Sequence, residues 1–341
     1  IQAGKTEAGG MNKLKVALLS GGTSGEREIS VKGGDHVYEA LDKSKYDLVR
    51  YDPQTDLVML AADAPQIDVA LVILHGVPGE DGTIQGMLDL LEIPYQCTGV
   101  MGSSIAMNKL VSKFFYEKAQ IPVPAYASCS RGQYVDAPGI IKQLGLPLVI
   151  KPASGGSSLG MSIVRSKDQF EGALAAAFAC DDTVIAEQYL GGIEITGGVL
   201  GNNELEALPV IEIVPKNEHE FFDYQAKYQP GHTDEICPAR IDKALAEEAC
   251  SLAKAAHRAL FCKGCSRTDM IISGGRIHVL ETNTIPGMTP VSLLPLAAKT
   301  AGMTYAQLLD RLIELALERR GMRVKPGAKK TSFIVREKKK P

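Results

Sequence analysis

The sequence predicts an open parallel α/β layer in its first third and an α+β arrangement in its C-terminal half. Three features carry that expectation. Two apolar runs, 14–20 (LKVALLS) and 69–74 (VALVIL), each lead into a glycine-rich polar turn and then a helical pattern. Strand, loop and helix in that order open an α/β sheet, and ligands sit beyond the carboxyl ends of such strands. The runs LPLVIK and MSIVR bracket 152–160 (PASGGSSLG), so a strand follows that loop where a nucleotide-binding P-loop would have a helix. Near the end, SRTDMIIS and RIHVLETN are joined by the glycine pair that a tight hairpin wants.

At 341 residues the chain is too long for one small core, and two or three domains are expected. With 45% apolar residues, 23% charged residues and a net charge of −3, the composition is that of an ordinary globular protein. No apolar run reaches the length of a membrane span. Residues 1–10 lack the pattern of a signal peptide, and Met11 is the natural start, so 1–10 read as an added remnant or a disordered extension. Seven cysteines at irregular spacing suggest reduced thiols and a cytoplasmic location. Cys262 and Cys265 form the one close pair; with no second pair and no histidine at ligand spacing they read as structural. The segment 321–341 carries eight lysines and arginines against one glutamate and has no helical period, so it reads as a mobile, solvated tail. The acidic body ahead of it argues against a nucleic-acid partner, and a membrane partner is not indicated.

In chain order, the first strand runs into GGTSGERE and a helix to Leu41. These glycines do not match a dinucleotide fingerprint. Glu26 would repel a pyrophosphate but attract an ammonium, whereas Glu28 fits a helix-start carboxylate that complements the macrodipole. The second strand ends in HGVPGEDG, where His75 is given an orienting role, followed by a helix at 83–91. The punctuation at Gly99 and Gly102 closes a first domain spanning 11–105.

A helix at 107–119 carrying Lys109 and Lys113 begins the central domain, 106–192. Lys151 stands at the end of the strand before the Gly/Ser loop, whose open N–H groups suit phosphate oxygens; an ordinary flexible hairpin is the alternative. After a helix at 167–179, the strand at 184–190 (VIAEQYL) can hydrogen-bond an adenine through its backbone, with Glu194 as a ribose partner. A C-terminal domain, 193–320, follows with strands at 194–201 and 205–214. The polar, aperiodic stretch 221–238, holding Lys227 and Tyr228, reads as a lid. A helix at 243–260 leads into the hairpin, and 305–320 forms a closing helix. Glu281 and Asn283 lie two apart on a strand and so share a face, and pairing brings Asp269 beside them. Two carboxylates and an amide oxygen are hard ligands suited to Mg²⁺, and a solvated hairpin face is the alternative. The turn 284–287 exposes the N–H of Gly287, which can be half of an oxyanion hole.

Together these stretches resemble the D-alanine–D-alanine ligase family of the ATP-grasp superfamily. The resemblance covers about 14–320 and rests on chain-ordered motifs: GGTSGEREIS, HGVPGEDGTIQGMLDLLEIPY, MNK, IKPASGGSSLGMS, EQYLGGIEIT, FFDYQAKY, SRTDM and ETNTIPGMTPVSLLP. It implies a three-domain ATP-grasp fold with ATP held between two antiparallel sheets. By resemblance, Lys109, Lys151 and Ser158 would meet the ATP phosphates, and Glu187, Tyr189, Leu190 and Glu194 would frame adenine and ribose. Asp269, Glu281 and Asn283 would hold two Mg²⁺ ions, with Mn²⁺ as a substitute. Glu26 and His75 would receive the first D-alanine, Ser292 and Leu293 the carboxylate of the second, and Arg267 and Gly287 the oxyanion. Lys227 and Tyr228 would lie on the lid, Tyr228 linked to Ser157 and Glu26. The implied partners are ATP and D-alanine, and the implied assembly is a homodimer. Tyr189 stands where some relatives have Trp, and Gly197 and Gly198 fall where a strand is expected. Ligases with D-lactate or D-serine as second substrate, and a silent nucleotide-binding protein, are the alternatives.

Overall fold

The structure, a computed structural model, describes residues 13–156, 159–216 and 233–322. The expectations for 1–10, the tail beyond Met322 and most of the lid lie outside these residues. Three strands, β1 (Leu14–Leu19), β2 (Tyr46–Tyr51) and β3 (Val69–Val72), form a parallel sheet in the order β2-β1-β3. Alternation along β1 and β3 feeds two cores, because successive side chains point to opposite faces. Val16, Leu18, Val69 and Leu71 join one cluster, and Ala17, Leu19, Ala70 and Val72 join the other. The first cluster includes Val37 of α1 (Arg27–Ala40), and also Leu294, Leu308 and Leu312 from two helices far along the chain. The second is closed by Leu60 of α2 (Leu57–Asp63) and by Ile84 and Leu88 of α3 (Thr83–Leu90).

The helix expected at 107–119 is present from Lys109 to Lys118, and a further helix that was not expected lies just ahead of it. Asn108 is extended (φ −100°, ψ 106°), ending α4 (Val100–Met107) and starting α5 (Lys109–Lys118). Its side chain accepts the Val111 N–H at 3.0 Å, and this cap is what makes the break favourable. Beyond it, β4 (Tyr126–Ser130), β5 (Leu148–Pro152), β6 (Ser162–Val164) and β7 (Thr183–Gln188) form an antiparallel sheet in the order β4-β7-β5-β6. Helices α6 (Ala137–Leu144) and α7 (Phe170–Phe178) cover one face of it.

A second antiparallel sheet holds β8 (Ile193–Gly201), β9 (Leu205–Ala207), β10 (Ile211–Pro215), β11 (Thr233–Ile236), β12 (Gly264–Ser273) and β13 (Arg276–Asn283). The single strand expected at 205–214 is β9 and β10, parted at Leu208-Pro209-Val210, where proline supplies no ladder N–H. Residues 233–236, the end of the expected lid, pair antiparallel with β10 and are sheet. Gly197 and Gly198 stay within β8 because both faces are tightly covered. A Cβ on Gly197 would lie 3.0 Å from Ala253 of α8 (Lys243–Ala259), and one on Gly198 would lie 2.8 Å from Leu294. Helices α9 (Leu293–Thr300) and α10 (Tyr305–Met322) then return to the first sheet. There Asp310 receives Lys45 at 2.7 Å and the Tyr46 hydroxyl at 2.8 Å.

Behind β12, His257 of α8 is buried with Nδ1 2.7 Å from Ser266 Oγ. Burial, reinforced by Lys263 and Arg258, lowers its pKa from 6.5 to about 4. Between those values the unfolded chain binds a proton that the native state refuses. This contribution to stability is therefore complete above pH 6.5 and is lost as pH falls towards 4, by up to about 3 kcal/mol. Urea midpoints should drop more steeply from pH 7 to pH 4 in the parent chain than in His257→Gln; parallel curves would contradict this.

Candidate active site

The β12/β13 hairpin builds the floor of the site. Gly274 and Gly275 take positive φ (57° and 77°), the backbone a two-residue hairpin turn requires. In the resulting register Asp269 faces Glu281 and Arg267 faces Asn283, so all four polar side chains share one face. The opposite face is buried: Thr268 and Thr282 hydroxyls lie 3.0 Å apart, and Tyr116 donates to Thr282 at 2.7 Å. Arg267 grips Asp269 with two parallel bonds of 2.8 Å, and Thr196 donates to the same carboxylate at 2.6 Å. Lys109 Nζ approaches Glu281 at 3.4 Å.

Above this floor a cleft runs between the two antiparallel sheets. Lys109, Lys151, Glu187, Tyr189, Leu190 and Glu194 all line it, together with Asp269 and Glu281. The expected nucleotide residues that are described thus meet Asp269 and Glu281 in one place, while Asn283 Oδ1 accepts the Ile285 N–H at 3.0 Å. The Gly/Ser loop forms the roof at Ser154–Gly156 and Leu159, and its first residues are tied down from both sides. Lys109 N–H donates to Ala153 O at 2.7 Å, Lys109 Nζ to Gly155 O at 2.6 Å, and Ser154 N–H to Asp181 at 2.6 Å. Gly155 has φ +104°, a conformation glycine tolerates best.

Glu187 is paired with two lysines, Lys151 from β5 and Lys113 from α5. Burial would raise its pKa, but the two ammoniums outweigh that and hold the carboxyl below the usual range. Lys113 is fully buried and its own pKa is lowered by desolvation against the pull of Glu187. Sequence reading placed Lys113 on the helix without giving it a site role; its spacing of four from Lys109 was the available signal.

The amino-acid end lies where the first sheet meets the hairpin. A Cβ built on Gly76 would stand 3.4 Å from Glu26 Oε2, and one on Gly156 would stand 3.8 Å from the same oxygen. The Glu26 carboxylate therefore sits between the His75 loop and the Gly/Ser loop. His75 is held below the usual histidine range by burial, with Glu26 opposing and Arg267 adding to the depression. Glu80, which accepts the Gly76 N–H at 2.7 Å, is pushed up to about 8 by desolvation, with Glu26 and Glu281 adding and Arg267 opposing. It is mostly protonated at neutral pH and adds little negative charge beside Glu26. Sequence reading missed Glu80, although it stands in the quoted HGVPGEDG run. Gly287 adjoins Ser292, whose Oγ would be 2.9 Å from a Cβ there, and Ser292 and Leu293 form the start of α9. Helix N-termini favour carboxylates. Ser157, Ser158, Lys227 and Tyr228 lie outside the described residues.

The hairpin donors suit Mg²⁺. Among the described residues no three His, Cys, Asp or Glu side chains group as a metal site. Two carboxylates and an amide are nonetheless the set expected of an ion that takes its remaining ligands from phosphate and water.

Family models decide the relationship. The D-ala D-ala ligase C-terminus model matches 115–314 and the D-ala D-ala ligase N-terminus model matches 53–98. The chain belongs to the D-alanine–D-alanine ligase family. The D-alanine–D-alanine ligase of Syntrophobacter fumaroxidans is 57% identical over 306 residues, covering 90% of this chain and 98% of that protein. That of Desulfotalea psychrophila is 51% identical, covering 90% and 96%. The Bacillus anthracis ligase solved in complex with ATP superposes with a TM-score of 0.80 at 34% identity, covering 91% and 100%. VanG D-Ala:D-Ser ligase from Enterococcus faecalis gives 0.76 at 30%, covering 89% and 100%. The family fold is ATP-grasp, as the motifs implied, and the family uses ATP and Mg²⁺. Among the described residues no helix is long and apolar enough to cross a membrane.

Proposed function

We infer that this chain joins two D-alanines into D-alanyl-D-alanine at the expense of ATP, supplying peptidoglycan precursors. The observation that carries the reading is the shared face of Arg267, Asp269, Glu281 and Asn283, whose two carboxylates line a cleft together with Lys109 and Lys151. Lys109 and Lys151 hold the phosphates, Glu187, Tyr189, Leu190 and Glu194 frame adenine and ribose, and Asp269, Glu281 and Asn283 hold Mg²⁺. The metal supplies charge neutralisation on the phosphates. Glu26 takes the ammonium of the first D-alanine, with His75 beside it.

A carboxylate oxygen of the first D-alanine attacks the γ-phosphorus and ADP leaves, giving an acylphosphate; positioning and charge neutralisation matter most in this step. The amine of the second D-alanine, its carboxylate held at Ser292 and Leu293, attacks the acyl carbon. Arg267 and the Gly287 N–H stabilise the tetrahedral oxyanion, which collapses with loss of phosphate and a proton.

The same reading divides the chain at 11–105, 106–192 and 193–320, places it in the cytoplasm and makes it a homodimer. Exposed apolar side chains at Leu90, Met101, Phe114 and Phe261 support the last point. D-Serine as second substrate is the second reading, favoured by the likeness to VanG. Phosphate release from ATP with D-alanine, L-alanine, D-serine and D-lactate, with products weighed by mass spectrometry, separates them. D-Alanine alone should support turnover and give the dipeptide mass. Turnover only when D-serine is added to D-alanine would transfer the assignment to the second reading.

A further inference from the structure

We propose that Asp52, at the end of β2, is a positioning residue for the first amino acid: it shapes the loop 21–26 so that the Glu26 carboxylate faces the site. The proposal rests on Glu26 as the ammonium anchor. Asp52 Oδ1 accepts the N–H of Gly22 at 2.9 Å and of Gln54 at 3.0 Å, while Oδ2 accepts from Arg27 Nη2 at 2.5 Å. Arg27 Nη1 returns to Gly22 O at 2.7 Å, so carboxylate, guanidinium and both polar groups of one peptide turn form a closed ring. Gly21 and Gly22 have φ +98° and +80°, and a Cβ on Gly21 would lie 2.6 Å from Asp52 Oδ2. The loop is thus wrapped on the carboxylate more closely than any side chain allows.

A second tie fixes the loop to the strand that carries His75. Buried Ser30 Oγ accepts the Gly21 N–H at 2.8 Å and donates to Ile73 O at 2.6 Å, two residues before His75. At the other end of the loop Glu26 starts α1, its carbonyl accepting the Ser30 N–H at 3.1 Å, and its side chain makes no cap bond to its own helix. The carboxylate is turned instead towards Gly76 and Gly156. Burial alone would raise Asp52, but Arg27 and the two N–H groups draw it down to about 2, so the ring is ionised at every working pH. The Arg27–Asp52 pair is itself partly exposed, at 41% and 22%, so as a salt bridge it adds little to stability. Its consequence falls on geometry, because a Glu26 carboxylate moved away from the ammonium attracts it less strongly.

The test is steady-state kinetics of Asp52→Ala, Asp52→Asn, Glu26→Gln and the Glu26→Gln/Asp52→Ala double variant, with melting temperatures. Asp52→Ala should raise KM for D-alanine at the first site by about tenfold or more, with kcat at saturation and KM for ATP within about threefold. Asp52→Asn, which keeps an acceptor for Gly22, should recover most of that loss. On the Glu26→Gln background Asp52→Ala should add nothing, because the effect passes through Glu26. A lowered melting temperature with unchanged KM, or full additivity, would overturn the proposal. If Asp52→Ala does not fold, Arg27→Gln opens the same ring and is held to the same outcomes. A Glu26→Gln variant with unaltered first-site KM would instead overturn the anchor assignment itself.

Discussion

Arg267→Ala should lower kcat by at least 10²–10³-fold, the usual cost, roughly 3–4 kcal/mol, of removing one oxyanion donor. The expectation comes from where the guanidinium stands. It is only 11% exposed, it is locked in plane by two bonds to Asp269, and its charge is felt by His75, Glu80 and Glu235 on two other segments. A surface arginine paired with a neighbouring carboxylate would matter little. This one lies between the nucleotide cleft and the amino-acid end, and a fixed planar fork cannot be replaced by a flexible ammonium. Arg267→Lys should therefore recover only a small part of the loss. Binding of ATP without turnover, followed by calorimetry, should weaken much less than kcat falls, since the lysines and the adenine-side residues remain. A kcat within a few-fold of the parent in Arg267→Ala would remove it from the chemistry.

Glu281→Gln should reduce turnover on the order of 10³-fold while leaving the circular dichroism spectrum unchanged. Glutamine keeps the volume and an oxygen but loses the charge, directly opposite Asp269 in the register. Lys109, 3.4 Å away, loses its counter-charge in the same change. A readout beyond activity is therefore needed. Mn²⁺ bound at saturating ADP, counted by electron paramagnetic resonance, should fall in Glu281→Gln. Parent-like Mn²⁺ binding and turnover in Glu281→Gln would sink the metal assignment.

The hairpin residues were legible because a strand has a period of two and a glycine pair sets the turn; nothing beyond local geometry was needed to place Arg267, Asp269, Glu281 and Asn283 on one face. Lys151 and the Gly/Ser loop were legible for the same reason. Boundaries failed where a side chain changed the local outcome. Pro209 interrupted a strand pattern, and α4 was missed because Gly99 and Gly102 were read as the close of a domain. Glu80 was passed over because its neighbours Glu26, Glu281 and Arg267 come from distant segments.

By itself, then, the sequence determined the elements, the face each polar residue occupies and the order of the motifs that mark the family, because periodicity and turn chemistry act over a few residues. Only the tertiary structure decided which faces meet. It set α9 and α10 against the first sheet, enclosed Lys113 beside Glu187, and brought Glu26 between Gly76 and Gly156. It also decided the charge states, lowering His75 and raising Glu80. Desolvation and Coulomb interaction depend on distances between groups that the chain brings together only when it folds, and no spacing along the sequence encodes those distances.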